Sequence, residues 1–359
     1  MTAALALAAR GLGRVAPNPA VGCVIVKDGR VAGRGWTQPG GRPHAETEAL
    51  NRAGPAARGA CAYVTLEPCA HHGQTPPCAE ALVAAGIVRC VVALEDPDPR
   101  VAGRGLARLR EAEVEVSVGL GGEAAADLNA GYLLNRGQGR PLVTLKLATT
   151  LDGRIATKRG DSRWITGSAA RARAHLLRVR ADAVLIGSGT AVADNPRLDV
   201  RLDGLEAAAP LRVVLDGRLR LPLTHDMVIR AKAQPSWLMT HPDGPRDRIA
   251  AYRAAGVEVF PIAADEGGNL SIPAALAALA ERGVTRLLVE GGGHVAAAFL
   301  RAGLVDRLVW FHAPKVIGGD GVPAVAGFGL EDLAGAPGFK LKNSHRIGED
   351  LVESYARLN

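Results

Sequence analysis

The chain has 359 residues, 48% of them apolar and 22% charged, with a formal net charge of +7. This balance excludes a disordered chain, and no apolar run approaches the roughly 20 residues that a membrane-spanning helix needs. Only 4% of residues are aromatic and no Lys/Arg block stands out, so few platforms exist for single-stranded nucleic acid, and small anionic ligands are favoured.

At about 100–200 residues per domain, two domains are expected. Met1 to Arg10 is an alanine-leucine stretch with no basic residue before it and no export-type cleavage region after it. It reads as a first helix ending near Ala9, not as a signal peptide. Pro17-Asn18-Pro19 is a turn. Val21–Val26 and Val31–Trp36 flank Lys27-Asp28-Gly29 as a hairpin. A helix follows over Ala45–Ala53, a strand over Cys61–Leu66 and a helix over Cys78–Ala85, stopped by Gly86. A strand at Arg89–Leu94 leads into the loop Asp96-Pro97-Asp98-Pro99. A helix at Leu106–Glu111 and a strand at Val114–Val118 come next. Gly137-Gln138-Gly139-Arg140-Pro141 breaks the pattern and is read as a linker, giving domains 1–139 and 140–359.

The second half alternates again. Strands are expected at Leu142–Ala148, Ala183–Ile186, Arg212–Leu215, Trp237–Thr240, Val257–Pro261, Arg286–Glu290 and Leu308–His312. Helices are expected near Ala169–Arg180, Ala274–Glu281 and Val295–Ala302. Both halves are α/β. Charge divides unevenly: the first 139 residues carry 14 Lys+Arg against 13 Asp+Glu, the remainder 29 against 23. The five cysteines, Cys23, Cys61, Cys69, Cys78 and Cys90, all lie in the first quarter and are too few and too odd for a disulfide scaffold. A reduced, cytoplasmic protein is the reading, with Cys23, Cys61 and Cys90 in core strands.

Chemistry gathers at His44-Ala45-Glu46, Pro68-Cys69 and Pro77-Cys78. One imidazole and two thiolates make a three-ligand Zn2+ site whose fourth position is left for water, as in catalytic zinc sites. The pattern H-x-E…P-C-x-x-C marks zinc deaminases, in which the Glu is the general acid/base and not a ligand. Two positions apart on a regular helix, His44 and Glu46 would splay by about 200°. Both can face one metal only where the chain enters a helix, and Arg42-Pro43 suits such an entry. A lone H-x-E or a pair of cysteines would mean little; the ordered combination, each cysteine after a proline, points to metal. A structural zinc site is the weaker reading, because it would be closed by a fourth ligand. Eight residues separate Cys69 from Cys78, where the generic motif has two. Within that insertion His71 and His72 are either surface residues or phosphate contacts.

In the second half, Gly291-Gly292-Gly293-His294 follows a strand and opens an apolar helix. Such a turn either is simply tight or presents backbone N–H groups to a phosphate. Gly187-Ser188-Gly189-Thr190 is a second such loop, but Val192 breaks the dinucleotide fingerprint there, which argues against a true Rossmann domain.

Pro17-Asn18-Pro19-Ala20-Val21-Gly22, His44-Ala45-Glu46 and the stretch from Pro68 to Cys78 resemble the RibD family, bifunctional enzymes of riboflavin biosynthesis. Lys146 to Arg154, Ser162 to Thr166, Asp194 to Arg201 and Glu290-Gly291-Gly292 extend the resemblance over nearly the whole chain. It implies a cytidine-deaminase-like three-layer α/β domain followed by a dihydrofolate-reductase-like α/β domain that uses NADPH. The implied partner is a small phosphorylated pyrimidine, with no nucleic acid and no membrane; a homo-oligomer is left open. The implied residues are Glu46 as the catalytic acid/base and Asn18 on the pyrimidine ring. Thr149, Trp164, Thr190, Asp194, Gly217, Gly292, Gly293, His294, Val295, Ala296, Ala297 and Ala298 are implied to contact NADPH. Ser162, Arg178, Leu198, Arg201 and Glu290 are implied to contact substrate, with Arg178 and Arg201 as guanidinium forks for the 5′-phosphate. No general acid for the reduction is evident. The alternative is a tRNA deaminase whose second half binds RNA; the long cysteine spacing and the scarcity of clustered basic or aromatic residues count against it.

Overall fold

The computed structural model of the chain describes residues 1–70, 76–99 and 101–358, so His71 and His72 lie outside the described residues. The backbone divides into two compact units, Met1–Arg140 and Pro141–Asn359.

In the first unit, helix α1 (Thr2–Ala8) precedes the hairpin β1 (Gly22–Lys27) and β2 (Arg30–Trp36), whose tight turn uses Asp28 and Gly29 at positive φ. Helix α2 (Ala45–Ala53), strand β3 (Cys61–Val64), helix α3 (Cys78–Ala84), strand β4 (Arg89–Val92), helix α4 (Arg104–Glu111) and strand β5 (Glu115–Val118) follow. The sheet order is β2-β1-β3-β4-β5, antiparallel at the hairpin end and parallel from β3 onward. Strand alternation decides which helix covers which face. Cys23 and Ile25 point to the side of Ala45, Ala49, Leu82 and Leu109, while an added Cβ at Gly22 would strike the Ala4 carbonyl of α1. Helices on both faces make three layers.

Two helices not expected from the pattern, α5 (Gly122–Leu128) and α6 (Ala130–Gln138), close this unit. Gly137 and Gln138 are helical, so the expected linker is in part a helix end. Gly139, at φ 63°, supplies the left-handed stop that glycine allows.

The second unit opens with β6 (Leu142–Thr150) and the short β7 (Arg154–Ala156), then α7 (Ser168–Val179), β8 (Ala183–Gly187), α8 (Ser188–Asp194), β9 (Leu211–Leu215), α9 (Asp226–Ile229) and β10 (Ser236–Thr240). It continues through α10 (Arg246–Ala254), β11 (Glu258–Pro261), α11 (Ile272–Glu281), β12 (Arg286–Val289), α12 (Gly293–Arg301) and β13 (Arg307–Ala313). The two-residue β14 (Val322–Pro323) pairs with β7, and the hairpin β15 (Phe339–Ile347) and β16 (Asp350–Arg357) ends the chain.

The large sheet runs β11-β10-β9-β8-β12-β6-β13-β16-β15 and is parallel until the closing hairpin, which the sequence pattern did not announce. Its central strands β8, β9 and β12 are buried on both sides, which is why they read as continuous apolar runs. Leu185, Val213 and Leu287 pack under Leu276, Leu279 and Phe299 of α11 and α12. Val184, Val214 and Leu288 pack under Met227, Val228 and Tyr252. Gly187 caps α8 directly, so the expected loop at Gly187–Thr190 is a strand running straight into a helix. No helix among the described residues is long and apolar enough to cross a membrane.

Candidate active sites

In the first unit His44 is the N-cap of α2, with extended backbone (φ −70°, ψ 161°), and its imidazole makes no capping bond. The ring therefore turns away from its own helix. Its Nδ1 lies 3.3 Å from the Cys78 sulfur and 3.7 Å from the Cys69 sulfur. Cys78 is the first residue of α3, after Pro77, and its backbone N–H donates to the Cys69 sulfur at 3.3 Å. All three ligand atoms lie within 4.8 Å of one another. One imidazole nitrogen and two sulfurs so disposed fit zinc and leave a fourth position open.

Glu46, 3% exposed, lines the same pocket of about 90 Å³ with His44, Cys69 and Asn18. Burial, then the neighbouring Cys69 thiolate, push its carboxyl up to about 7. The Cys69 thiol goes the other way, to about 4, drawn down by its bond with the Cys78 sulfur and by His44. A carboxyl in that range can both take and return a proton near neutrality. Asn18 donates its amide N–H to the Gly41 carbonyl at 2.9 Å. Gly41 sits at φ 84°, and an added Cβ would lie 2.1 Å from the Asn18 amide nitrogen, so only glycine permits this arrangement.

The pocket also takes in residues the sequence analysis did not single out as a site. Asp96 and Asp98 are buried on its wall, and Tyr132 donates its hydroxyl to Asp96 at 3.0 Å. Arg136 stands one turn beyond Tyr132 on α6, 3.5 Å from Asp98. Their signal was the Asp-Pro-Asp-Pro loop; α6, which brings Tyr132 and Arg136, was passed over. Glu67 accepts four backbone N–H bonds, from Asp96, Gly103, Gly105 and Leu106, and so braces the loop two residues before Cys69.

In the second unit the parallel pairing of β12 with β6 sets Val289 opposite Leu145. The next residues, Glu290 and Lys146, are thereby neighbours: Lys146 Nζ lies 3.8 Å from Glu290 Oε2. Arg178 of α7 donates from Nε to Glu290 Oε1 at 2.6 Å and from Nη2 to Oε2 at 3.1 Å. Burial alone would raise the Glu290 carboxyl, but Arg178 and then Lys146 outweigh it and hold it down at about 2. Burial lowers the Lys146 ammonium, only partly offset by Glu290. Nearby, Arg201 lies 3.5 Å from Asp199 and 3.4 Å from the His175 ring.

A separate cleft of about 400 Å³ runs along the start of α12, lined by Gly217, His294, Val295, Ala297 and Ala298. Arg218, Arg220 and Arg301 stand on its walls against Asp265, a net positive lining that suits an anionic dinucleotide.

The deaminase zinc-binding region of cytidine and deoxycytidylate deaminases matches residues 1–94, and the RibD C-terminal domain matches residues 141–353. The riboflavin biosynthesis protein RibD of Escherichia coli is 42% identical, over 98% of this chain and 96% of its own length. The chain belongs to the RibD family. A Bacillus amyloliquefaciens member is also 42% identical, over 98% of this chain and 94% of its own. Among solved structures, Acinetobacter baumannii RibD superposes with a TM-score of 0.89 at 39% identity, covering 100% of this chain and 98% of that one. A diaminohydroxyphosphoribosylaminopyrimidine deaminase/5-amino-6-(5-phosphoribosylamino)uracil reductase of Thermotoga maritima gives 0.87 at 35%, covering 100% and 97%. As a RibD-family member the chain is a bifunctional enzyme of riboflavin biosynthesis, with a zinc-binding deaminase domain and an NADPH-using reductase domain. Nucleic-acid deamination, the alternative, has no support in these matches.

Within that family frame, the residues implied by resemblance are unevenly gathered. His44, Glu46, Cys69 and Asn18 share one pocket, with Cys78 at its metal-binding corner. Arg178 and Glu290 are bonded, and Arg201 lies beside them across His175. Thr190 accepts from the Gly292 N–H at 3.1 Å, tying α8 to the loop before α12. Gly293 begins α12, and Ala296, next to the cleft-lining residues, points into the core. Thr149 is buried away from that cleft, its hydroxyl accepting from Trp310 Nε1 at 2.9 Å. Trp164 is exposed, with Arg171 4.5 Å over its ring; Asp194 is exposed at the end of α8. Ser162 is half-buried, and Leu198 is buried at φ 53°. Cys23 and Cys90 are in the core as expected, whereas Cys61, at the start of β3, is only half-buried.

Proposed function

We propose that the first unit hydrolytically removes an amine from 2,5-diamino-6-ribosylamino-4(3H)-pyrimidinone 5′-phosphate. The second unit then reduces the ribosyl group, giving 5-amino-6-(5-phosphoribitylamino)uracil. The observation that carries this reading is one small pocket in which three metal donors meet a buried carboxyl that is not one of them.

His44, Cys69 and Cys78 would hold the zinc, which supplies a Lewis acid able to activate water near neutral pH. Glu46 would take one proton from the attacking water and give it to the ring nitrogen, then take the proton of the hydroxyl so formed and give it to the amine, which leaves as ammonia. Asn18, fixed through Gly41, orients the pyrimidine. In the second unit Arg178 and Arg201 hold the phosphate and Glu290 the ribosyl hydroxyls. NADPH supplies the hydride, and the cleft beside α12 would hold it, with the backbone amides at Gly292 and Gly293 near its phosphates. Opening of the ribosyl ring leaves a C1′=N bond; hydride goes to C1′ and a proton to the nitrogen. Lys146, a partly buried ammonium whose pKa is lowered by desolvation, gives that proton. Five free cysteines fit a reducing compartment, the cytoplasm.

The test is purified, zinc-loaded protein with the phosphorylated diaminopyrimidine. Ammonia release should precede NADPH oxidation, and NADPH should be consumed only once the deaminated pyrimidine is present. Absence of ammonia release from the zinc-loaded protein, or release from tRNA instead, overturns the reading.

A further inference from the structure

His175 sits on α7 one turn before Arg178 and is only 8% exposed. Its ring is enclosed by the segment that carries the phosphate-binding candidates. Nδ1 lies 3.2 Å from the Asp199 carbonyl oxygen and 3.3 Å from the Arg201 backbone nitrogen. Nε2 lies 3.4 Å from Arg201 Nη2. The same Asp199 carbonyl also accepts from Arg178 Nη1 at 2.8 Å.

A neutral imidazole has one donor and one acceptor nitrogen. If Nδ1 carries the proton, it donates to Asp199 and leaves Nε2 to accept from the Arg201 guanidinium, while the Arg201 backbone N–H gives up its bond to Nδ1. If Nε2 carries it, only the Arg201 backbone N–H is served and two N–H groups face each other. The first tautomer makes two bonds where the second makes one. An imidazolium would offer Arg201 no acceptor at all. The charged groups around the ring are Arg178 on its own helix, Arg201 and Asp199 on the loop after α8, and Glu290 after β12. Burial, then Arg178 and Arg201, lower its pKa and keep it neutral. Arg201 needs such a tether, because its side chain is 61% exposed and its other anchor is a carboxylate at 3.5 Å. A freely rotating arginine loses rotamer entropy when a ligand immobilises it.

We infer that His175 is a positioning residue of the reductase unit, whose neutral ring accepts a hydrogen bond from Arg201 and holds that guanidinium beside Arg178, ready for the substrate phosphate. The inference rests on the reading of Arg178 and Arg201 as phosphate-binding groups. Histidine thus does not touch the reacting atoms. It lowers the cost of ordering the second phosphate fork.

The test compares His175→Phe, which fills the same space without an acceptor, with His175→Gln, whose amide oxygen can stand where Nε2 does. Each is made alone and with Arg201→Ala, and steady-state reduction of the phosphorylated, deaminated pyrimidine is measured. His175→Phe should raise KM about five- to tenfold with kcat within about twofold, and His175→Gln should recover most of the loss. In the Arg201→Ala background His175→Phe should add nothing. Additive losses, an unchanged KM in His175→Phe, or a loss in kcat alone would overturn the inference while leaving the phosphate reading intact. A different result would remove both: Arg201→Ala weakening the phosphorylated and dephosphorylated substrates equally.

Discussion

Arg178 clasps Glu290 at two points, Nε to Oε1 at 2.6 Å and Nη2 to Oε2 at 3.1 Å, at the end of the central strand β12, where Lys146 of β6 closes in at 3.8 Å. Removing the carboxylate takes the ion-pair partner from two partly buried cations. Glu290→Gln should therefore cost about 3–5 kcal/mol, read by urea unfolding at neutral pH. The sign with pH follows from a folded-state pKa of about 2. The stabilisation is complete above the carboxyl's ordinary range and is lost as pH falls through it toward about 2. The gap between wild type and variant should thus narrow steadily below about pH 4; a gap that stays constant to about pH 3 contradicts the assignment.

Lys146 should matter to chemistry more than to binding. Lys146→Met leaves the Arg178–Glu290 clasp in place and removes the proposed proton donor. The expected result is a fall in kcat of the reduction on the order of 10²-fold, with a smaller change in KM. A variant that loses only KM would make Lys146 a binding group.

Glu46 is buried among the metal donors without being one of the three. Glu46→Gln keeps shape and hydrogen bonding but cannot carry a proton. Zinc content by elemental analysis should match wild type, while ammonia release drops by about 10²–10⁴-fold. Full deamination in the variant would remove Glu46 from the proton path.

Chelation separates the two activities. Stripping zinc, or the substitutions Cys69→Ser and Cys78→Ser, should abolish deamination. NADPH oxidation with the already deaminated pyrimidine should persist, because among the described residues the cluster of metal donors lies in the first unit. Parallel loss of both activities would contradict separate sites.

Gly33 and Gly35 of β2 lie directly under α2. Added Cβ atoms would stand 2.1 Å from the Ala49 and Ala45 carbonyl oxygens respectively. Gly35→Ala must push back the first turn of α2, which carries Glu46 and is capped by His44. We expect a loss of about 1–3 kcal/mol in stability together with weaker zinc retention against a chelator. Unchanged zinc retention would mean that α2 can shift without disturbing His44.

The sequence by itself determined the chemistry that is local to the chain. Prolines before Cys69 and Cys78, and a helix entry at His44, are properties of a few adjacent residues, and the donors meet as their spacing required. The strand and helix rhythm was legible for the same reason, because side-chain period is written along the backbone. The tertiary structure alone decided the rest. Glu290 and Arg178 are 112 residues apart, and Lys146 joins them only because β12 pairs in register with β6. Asp96 meets Tyr132 because α6 folds back over the loop after β4, and His175 meets Arg201 because the chain after α8 returns across α7. Such contacts depend on which strands become neighbours. That is settled by burying apolar faces over the whole sheet, not by any spacing a local pattern can show.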